Sequence, residues 1–201
     1  IIGCSCALSL AARGFKVAVV ERQGLCMEAS GMNAGTLAAL WVRPPMIPYA
    51  KAGIEHWKAA GSWFGQDTGF AQPGGLKLAF TEAECQALER EIADAGAHDV
   101  PVQLLSKKDL RHVEPAVASN AMAALRCEID GYVDPILVSR NMMKALMAHG
   151  VEVRRGSEVV GIDAGDGGYR IATESGSARA LFPALRRSSR VGGLLLSGKP
   201  G

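Results

Sequence analysis

Hydrophobic and polar positions along the chain fall into distinct local patterns. Ile1-Ile2-Gly3 is an apolar pair closed by a turn residue and reads as the end of a buried strand. Cys6–Arg13 (CALSLAAR) is small and apolar and predicts a short helix, with Gly14 as its terminating glycine. Lys16–Glu21 (KVAVVE) is an unbroken β-branched run of the kind buried on both faces of a sheet. Residues 1–21 are therefore expected to form strand–helix–strand with the two strands as parallel neighbours.

Gln23–Leu37 is rich in small residues and reads as a loop, and Ala50–Ala60 as a helix. Pro73-Gly74-Gly75 is a turn into a strand over Leu76–Phe80. Thr81 and Glu84 make a capping box, in which hydroxyl and carboxylate reciprocally satisfy first-turn amides. The helix that follows puts Cys85, Leu88, Ile92 and Ala95 on one face and stops at Gly96. Ser106 caps a short helix to Glu114, halted by Pro115, and Ala123–Ile129 reads as a strand. Asp134-Pro135 is a cap followed by a first-turn proline; its helix runs to His149 and closes at Gly150. Strands are expected at Val151–Val153 and Ser157–Asp163, with Asp166-Gly167-Gly168 turning into a last strand over Tyr169–Thr173.

The 201 residues are 48% hydrophobic with a net charge of +2, which excludes disorder and fits one domain, or one and a small second. The longest uncharged run, Ala29–Val42, has 14 residues, against about 20 for a membrane-spanning helix. The near-neutral balance removes the electrostatic case for nucleic acid. Charge shifts at the end of the chain. Leu181–Gly201 holds Arg186, Arg187, Arg190 and Lys199 and no acid, and is expected to be a solvated, disordered tail. Five cysteines, an odd number in a chain of this size, argue for reduced thiols in a cytoplasm rather than a disulfide framework. The first residue is not Met and no basic segment leads into the apolar run, so the opening reads as cut rather than as a signal peptide.

Two segments could carry chemistry. Gly3-Cys4-Ser5-Cys6-Ala7 stands between an expected strand and helix, with Glu21 at the end of the next strand. A dinucleotide fold places its glycine-rich phosphate turn and its ribose carboxylate at those points. Bare glycine backbone lets the pyrophosphate approach the free amides of a helix N-terminus. Only Gly3 is glycine here; Ser5 and Ala7 each add a Cβ, and an ordinary buried strand–turn–helix is the plain alternative. The second segment, Glu28–Thr36 (EASGMNAGT), can lay its backbone along a flat cofactor, or serve as a surface loop. Cys4-x-Cys6 lacks the second pair that a zinc site needs. His56, His98, His112 and His149 show no metal or triad spacing. Trp41, Trp57 and Trp63 are expected to pack in the core. No metal site and no catalytic residue is assigned.

Taken in order, IIG…LSLAARGFKVAVVER, EASGMNAG, GGLKLAF, EIDGYVDP and GVEVRRGSEVVGID resemble the FAD-dependent D-amino-acid oxidase family, with the nearest likeness to glycine oxidase, sarcosine oxidase β-subunit and D-amino-acid dehydrogenase members. The likeness covers about residues 1–175. It implies FAD as cofactor and oxidation of an amino acid or secondary amine, with hydride transfer from the substrate α-carbon to the flavin. By this resemblance Gly3, Ser5 and Ala7 stand at the phosphate glycines, and Glu21 at the acid that holds the adenosine ribose. Ser30, Gly31, Asn33, Ala34 and Gly35 would run beside pyrophosphate and flavin, and the backbone of Val159 would meet the adenine. Relative to the family pattern the glycine loop and first helix are shorter by about five residues, close to one helical turn plus one. The family's later half, which supplies the catalytic residues, has no counterpart in the sequence.

The resulting expectation is an α/β fold. A Rossmann-like FAD-binding layer would come from two separated segments, 1–45 and 130–180, with 46–129 an inserted α+β piece of a substrate domain and 181–201 an atypical basic tail. The place would be cytoplasmic, or peripheral to an inner membrane for a dehydrogenase. Two other readings stay open: an inactive truncated or frame-disrupted relative, and an NAD(P)-linked Rossmann enzyme.

Overall fold

The computed structural model describes residues 1–165, 168–174, 176–180, 182–188 and 191–198, the last two stretches as backbone only. Six helices and twelve strands are described. The first half runs α1 (Ile2–Ala11), β1 (Lys16–Glu21), β2 (Thr36–Leu37), a 3-10 turn (Pro44–Met46), α2 (Ile47–Lys58), α3 (Ala60–Trp63), β3 (Gly75–Ala79), α4 (Glu82–Gly96) and β4 (Val102–Ser106). It continues with α5 (Lys107–Val113), β5 (Ala123–Cys127), β6 (Gly131–Tyr132), α6 (Pro135–Ala148), β7 (Glu152–Arg155), β8 (Val159–Gly165), β9 (Gly168–Thr173), β10 (Gly176–Ala180), β11 (Phe182–Ser188) and β12 (Val191–Gly198). The chain divides into two compact units. The first is Ile1–Asn33, Ala60–Thr68 and Asp134–Gly201; the second is Ala34–Ala59 and Gly69–Val133.

In the first unit a four-stranded sheet has the order β11-β12-β1-β7. β1 runs parallel to β7, with Val19 opposite Val153, and antiparallel to β12, with Val19 opposite Leu195. A second sheet, β10-β9-β8, is antiparallel throughout. Val20 of β1 packs with Ile171 and Ala180 of the second sheet, and Val159 and Ile162 close on them. The helix α6 is held as its sequence demands. Asp134 Oδ1 accepts the amides of Ile136 and Leu137 at 2.8 and 3.0 Å, Pro135 occupies the first turn, and Gly150 at φ +70° ends it.

The second unit is built on the sheet β3-β5-β4. Alternate residues point to opposite faces. Leu125 and Cys127 join Ile54, Leu88 and Ala95 on one side, while Ala124 joins Leu105 and Leu110 on the other. Both helix caps form as expected: Thr81 Oγ1 accepts the Glu84 amide as Glu84 reaches back, and Ser106 Oγ accepts the Asp109 amide.

Three expectations are overturned. Ile1–Gly3 is not a strand: α1 begins at Ile2, and the Ser5 amide donates to the Ile1 carbonyl at 2.9 Å. So short an apolar run carries no periodicity that separates strand from helix, and one glycine inside a helix costs only about 1 kcal/mol. Hence β1 takes β7 and β12 as neighbours. The segment after Ala180 is not a disordered tail where it is described. Its backbone makes the hairpin β11–β12, and β12 covers an edge of β1 that would otherwise leave its hydrogen-bonding groups open. Leu181, Arg190 and Lys199 lie outside the described residues, as do Asp166 and Gly167 of the expected turn. Trp41 is not a core residue. It is 60% exposed, with the Lys77 ammonium 5.4 Å from its ring centre, while Trp57 and Trp63 are half-buried. No described helix is long and apolar enough to cross a membrane.

Candidate functional site

In the first unit, the end of β1, the loop that follows it and the start of α1 share direct interactions. Glu21 closes β1, where its carbonyl accepts the Ser157 amide at 3.0 Å. Its carboxylate Oε1 accepts the Gln23 amide at 2.9 Å and remains half-exposed. Mutual interaction of the Cys4 thiol, in the first turn of α1, and the Cys26 thiol, in the loop, together with burial of Cys4, holds Cys4 up and brings Cys26 down to about 6, the Glu21 charge acting only as a weaker upward push on both. Arg22, the next residue, reaches Glu28 at 3.3 Å and Glu158 at 3.8 Å, so one guanidinium bridges the loop and the approach to β8.

The loop folds on itself. Asn33 Nδ2 donates to the Ser30 carbonyl at 2.6 Å, and the Gly31 amide donates to the Glu28 carbonyl at 2.9 Å. Gly31 has to be glycine, because a Cβ there would overlap the Cys26 carbonyl oxygen. Ser30 Oγ accepts from the Ile1 amino group at 3.2 Å. Ala34 and Gly35 belong to the second unit, where the Gly35 carbonyl accepts the Val133 amide at 3.0 Å. Val159 starts β8, half-buried against the core around Val20.

Gly3, Ser5 and Ala7 do not form a glycine turn. All three lie within α1, Ala7 fully buried, and a Cβ on Gly3 would meet nothing within 4 Å. Gly3 is therefore not holding open a cradle against a neighbouring part of the chain. The amides of Ile2, Gly3 and Cys4 lie ahead of the first helical hydrogen bond, which Ser5 makes. A half-exposed carboxylate closes β1, which runs parallel to β7 on one side and antiparallel to β12 on the other, and leaves an acceptor of the kind a ribose hydroxyl could use. At the pyrophosphate end the bare-backbone turn is missing. Glu21 was legible in the sequence. The Arg22 bridge was not, because its partners Glu28 and Glu158 are brought together only by the fold. Of the cysteines near this site, Cys6 is exposed, while Cys4 and Cys26 are buried. Among the described residues no group of His, Cys, Asp and Glu could hold a metal ion.

Comparison with known proteins bears on the chain as a whole. The model of a family described as FAD dependent oxidoreductase matches residues 1–185. The chain is 28% identical over 188 residues to the glycine oxidase of Geobacillus kaustophilus, covering 90% of this chain and 50% of that protein. It is 29% identical over 182 residues to the glycerol 3-phosphate oxidase of Mycoplasma pneumoniae, covering 87% and 47%. The crystal structure of the G. kaustophilus glycine oxidase superposes with a TM-score of 0.83 at 27% identity, over 90% of this chain and 50% of that one. The M. pneumoniae L-α-glycerophosphate oxidase, solved with FAD bound, superposes with a TM-score of 0.75 at 27% identity, over 86% and 47%. The chain thus spans about half the length of the relatives it matches, and it belongs to the FAD-dependent oxidoreductase family.

Proposed function

We propose that this chain is the FAD-binding portion, with part of a substrate domain, of an oxidoreductase that acts on a small amino acid or secondary amine. The observation that carries the reading is Glu21, a half-exposed carboxylate at the end of β1, which runs parallel to β7, in a chain of this family. In the proposal Glu21 accepts hydrogen bonds from the adenosine ribose hydroxyls. Ser30, Gly31, Asn33, Ala34 and Gly35 lie along the pyrophosphate and flavin, and the Val159 backbone meets the adenine. In this reading residues 1–45 and 130–180 make the FAD layer and 46–129 the beginning of the substrate domain. Hydride acceptance from the substrate α-carbon is the chemistry a flavin would supply when bound. This chain's part is to seat and orient that group.

The likeness to glycine oxidase favours an amine over a glycerol phosphate. Two measurements test the reading. Titration of the chain with FAD and with NAD should give tighter binding of FAD, and preference for NAD would overturn it. In a preparation carrying the whole open reading frame around this sequence, glycine or sarcosine should bleach the flavin without air. Bleaching by glycerol 3-phosphate alone would overturn the amine assignment.

A further inference from the structure

Within the second unit, residues 129–133 hold the chain on two sides. On one side the Ala71 amide donates to the Tyr132 carbonyl at 3.0 Å and the Tyr132 amide to the Ala71 carbonyl at 2.9 Å. The Gly74 amide donates to the Asp130 carbonyl at 3.1 Å, and Gln72 Nε2 to the Ile129 carbonyl at 2.8 Å. On the other side the Val133 amide donates to the carbonyl of Gly35, which has φ +73°, and β2 pairs with β6, Thr36 opposite Tyr132 and Leu37 opposite Gly131. A ladder of two residues fixes little by itself. Two positions past its end, the buried Ala39 donates its amide to Asp130 Oδ1 at 2.8 Å. A side chain thus continues the anchoring where the ladder stops.

Asp130 is itself held in place. Its carbonyl takes the Gly74 amide, and the next residue, Gly75, lacks the Cβ that would stand 2.8 Å from Oδ2. The residue is 2% exposed. Burying a carboxyl is a costly way to satisfy one amide. What it supplies here is a fixed point for a segment 91 positions away in sequence.

We propose that Asp130 is a positioning residue for the flavin: through the Ala39 amide it fixes the course of residues 35–39, and with it where Ala34 and Gly35 present their backbone to FAD. The inference rests on the assignment of Ala34 and Gly35 to the flavin made above. Asp130 touches no cofactor in this scheme. Without its anchor the segment is held by Gly35 and the short ladder alone, and binding of FAD has to order it at the expense of affinity.

The test compares wild type with Asp130→Ala, Asp130→Asn and Gly75→Ala at a temperature where circular dichroism shows each of them folded. Amide hydrogen exchange is read by mass spectrometry without FAD, and the FAD dissociation constant by titration. In Asp130→Ala exchange should rise across 35–39 and not in β5, and FAD should bind about tenfold more weakly, as for the loss of one buried hydrogen bond. Asp130→Asn keeps an acceptor at Oδ1 and should recover both. Gly75→Ala crowds the carboxyl while leaving Asp130 and 35–39 unchanged in sequence. It should reproduce the Asp130→Ala result, and it carries the test if Asp130→Ala does not fold. A purely stabilising role would raise exchange throughout the second unit and leave the affinity of the folded protein unchanged. That result would overturn the proposal, as would Asp130→Asn behaving no better than Asp130→Ala. Wild type that takes up no FAD would overturn the proposed function and this proposal together, whereas wild type that binds FAD no more tightly than the Ala variants would overturn this proposal alone.

Discussion

Asp130 Oδ1 accepts the backbone N–H of Ala39 at 2.8 Å, joining residues 91 positions apart. The side chain is 2% exposed, its second oxygen is buried without a hydrogen-bond partner, and a Cβ on Gly75 would stand only 2.8 Å from that oxygen. Burial pushes the Asp130 carboxyl above its ordinary value, against the pull of the Ala39 amide. The same surroundings push the nearby Cys127 thiol up to about 12, burial first and the Asp130 charge second.

Asp130→Ala leaves the Ala39 amide buried without its acceptor. The expected cost is about 1–3 kcal/mol, read from the urea midpoint. Asp130→Asn keeps an acceptor and should cost less. The pH dependence has a definite sign. The folded state holds this proton more tightly than the unfolded state, so stability falls as pH rises from the ordinary carboxylate value to the raised one and is level above it. Asp130→Asn should remove that part of the profile.

Glu84 gives the opposite sign. Its carboxylate accepts the amides of Phe80 and Thr81 at 2.7 and 3.0 Å, and these bonds, that of Phe80 foremost, lower its pKa. The stability it contributes is present above its unfolded pKa and is lost as pH falls through the lower folded value. Glu84→Gln should flatten the acid limb of a thermal melt series without altering its neutral plateau by more than the loss of a cap contact. An acid limb unchanged from wild type would show that the capping box does not couple to folding.

Gly31→Ala and Gly3→Ala separate a required glycine from an incidental one. At Gly31 a Cβ collides with the Cys26 carbonyl oxygen, so the loop must shift, at a cost of about 1–3 kcal/mol. At Gly3, within α1, the space is open and alanine is the better helix former, so stability should hold or rise by up to about 1 kcal/mol. Equal losses at both positions, measured by chemical denaturation, would contradict this account of the loop.

Local signals made most helices legible. Asp134-Pro135, Thr81 with Glu84, and Ser106 each announce a start because the cap is written within four residues of the turn it serves. What lies outside such a window was not legible. α1 extends back through Gly3 because nothing in a three-residue apolar run marks a strand as against a helix. β4 (Val102–Ser106) and β12 depend on partners well outside any local window, such as Ala123 opposite Ser106 and Val19 opposite Leu195. At the candidate site, Glu21 was legible as a polar end to a β-branched run. The Arg22 bridge to Glu28 and Glu158 was not, since no spacing rule links residues that meet only across a folded loop.

The proposed FAD site gives Glu21 to the ribose, while Gly3, Ser5 and Ala7 lie within α1 and not in a glycine turn. The direct measurement is an FAD titration of the purified chain and of Glu21→Ala, with the visible spectrum recorded before and after dialysis. A charge-assisted hydrogen bond contributes about 1.5–3 kcal/mol, so the account predicts saturable but weak binding, loss of colour on dialysis, and affinity about ten- to a hundredfold lower in Glu21→Ala. A yellow protein that keeps near-stoichiometric flavin through dialysis and is indifferent to Glu21→Ala would contradict it.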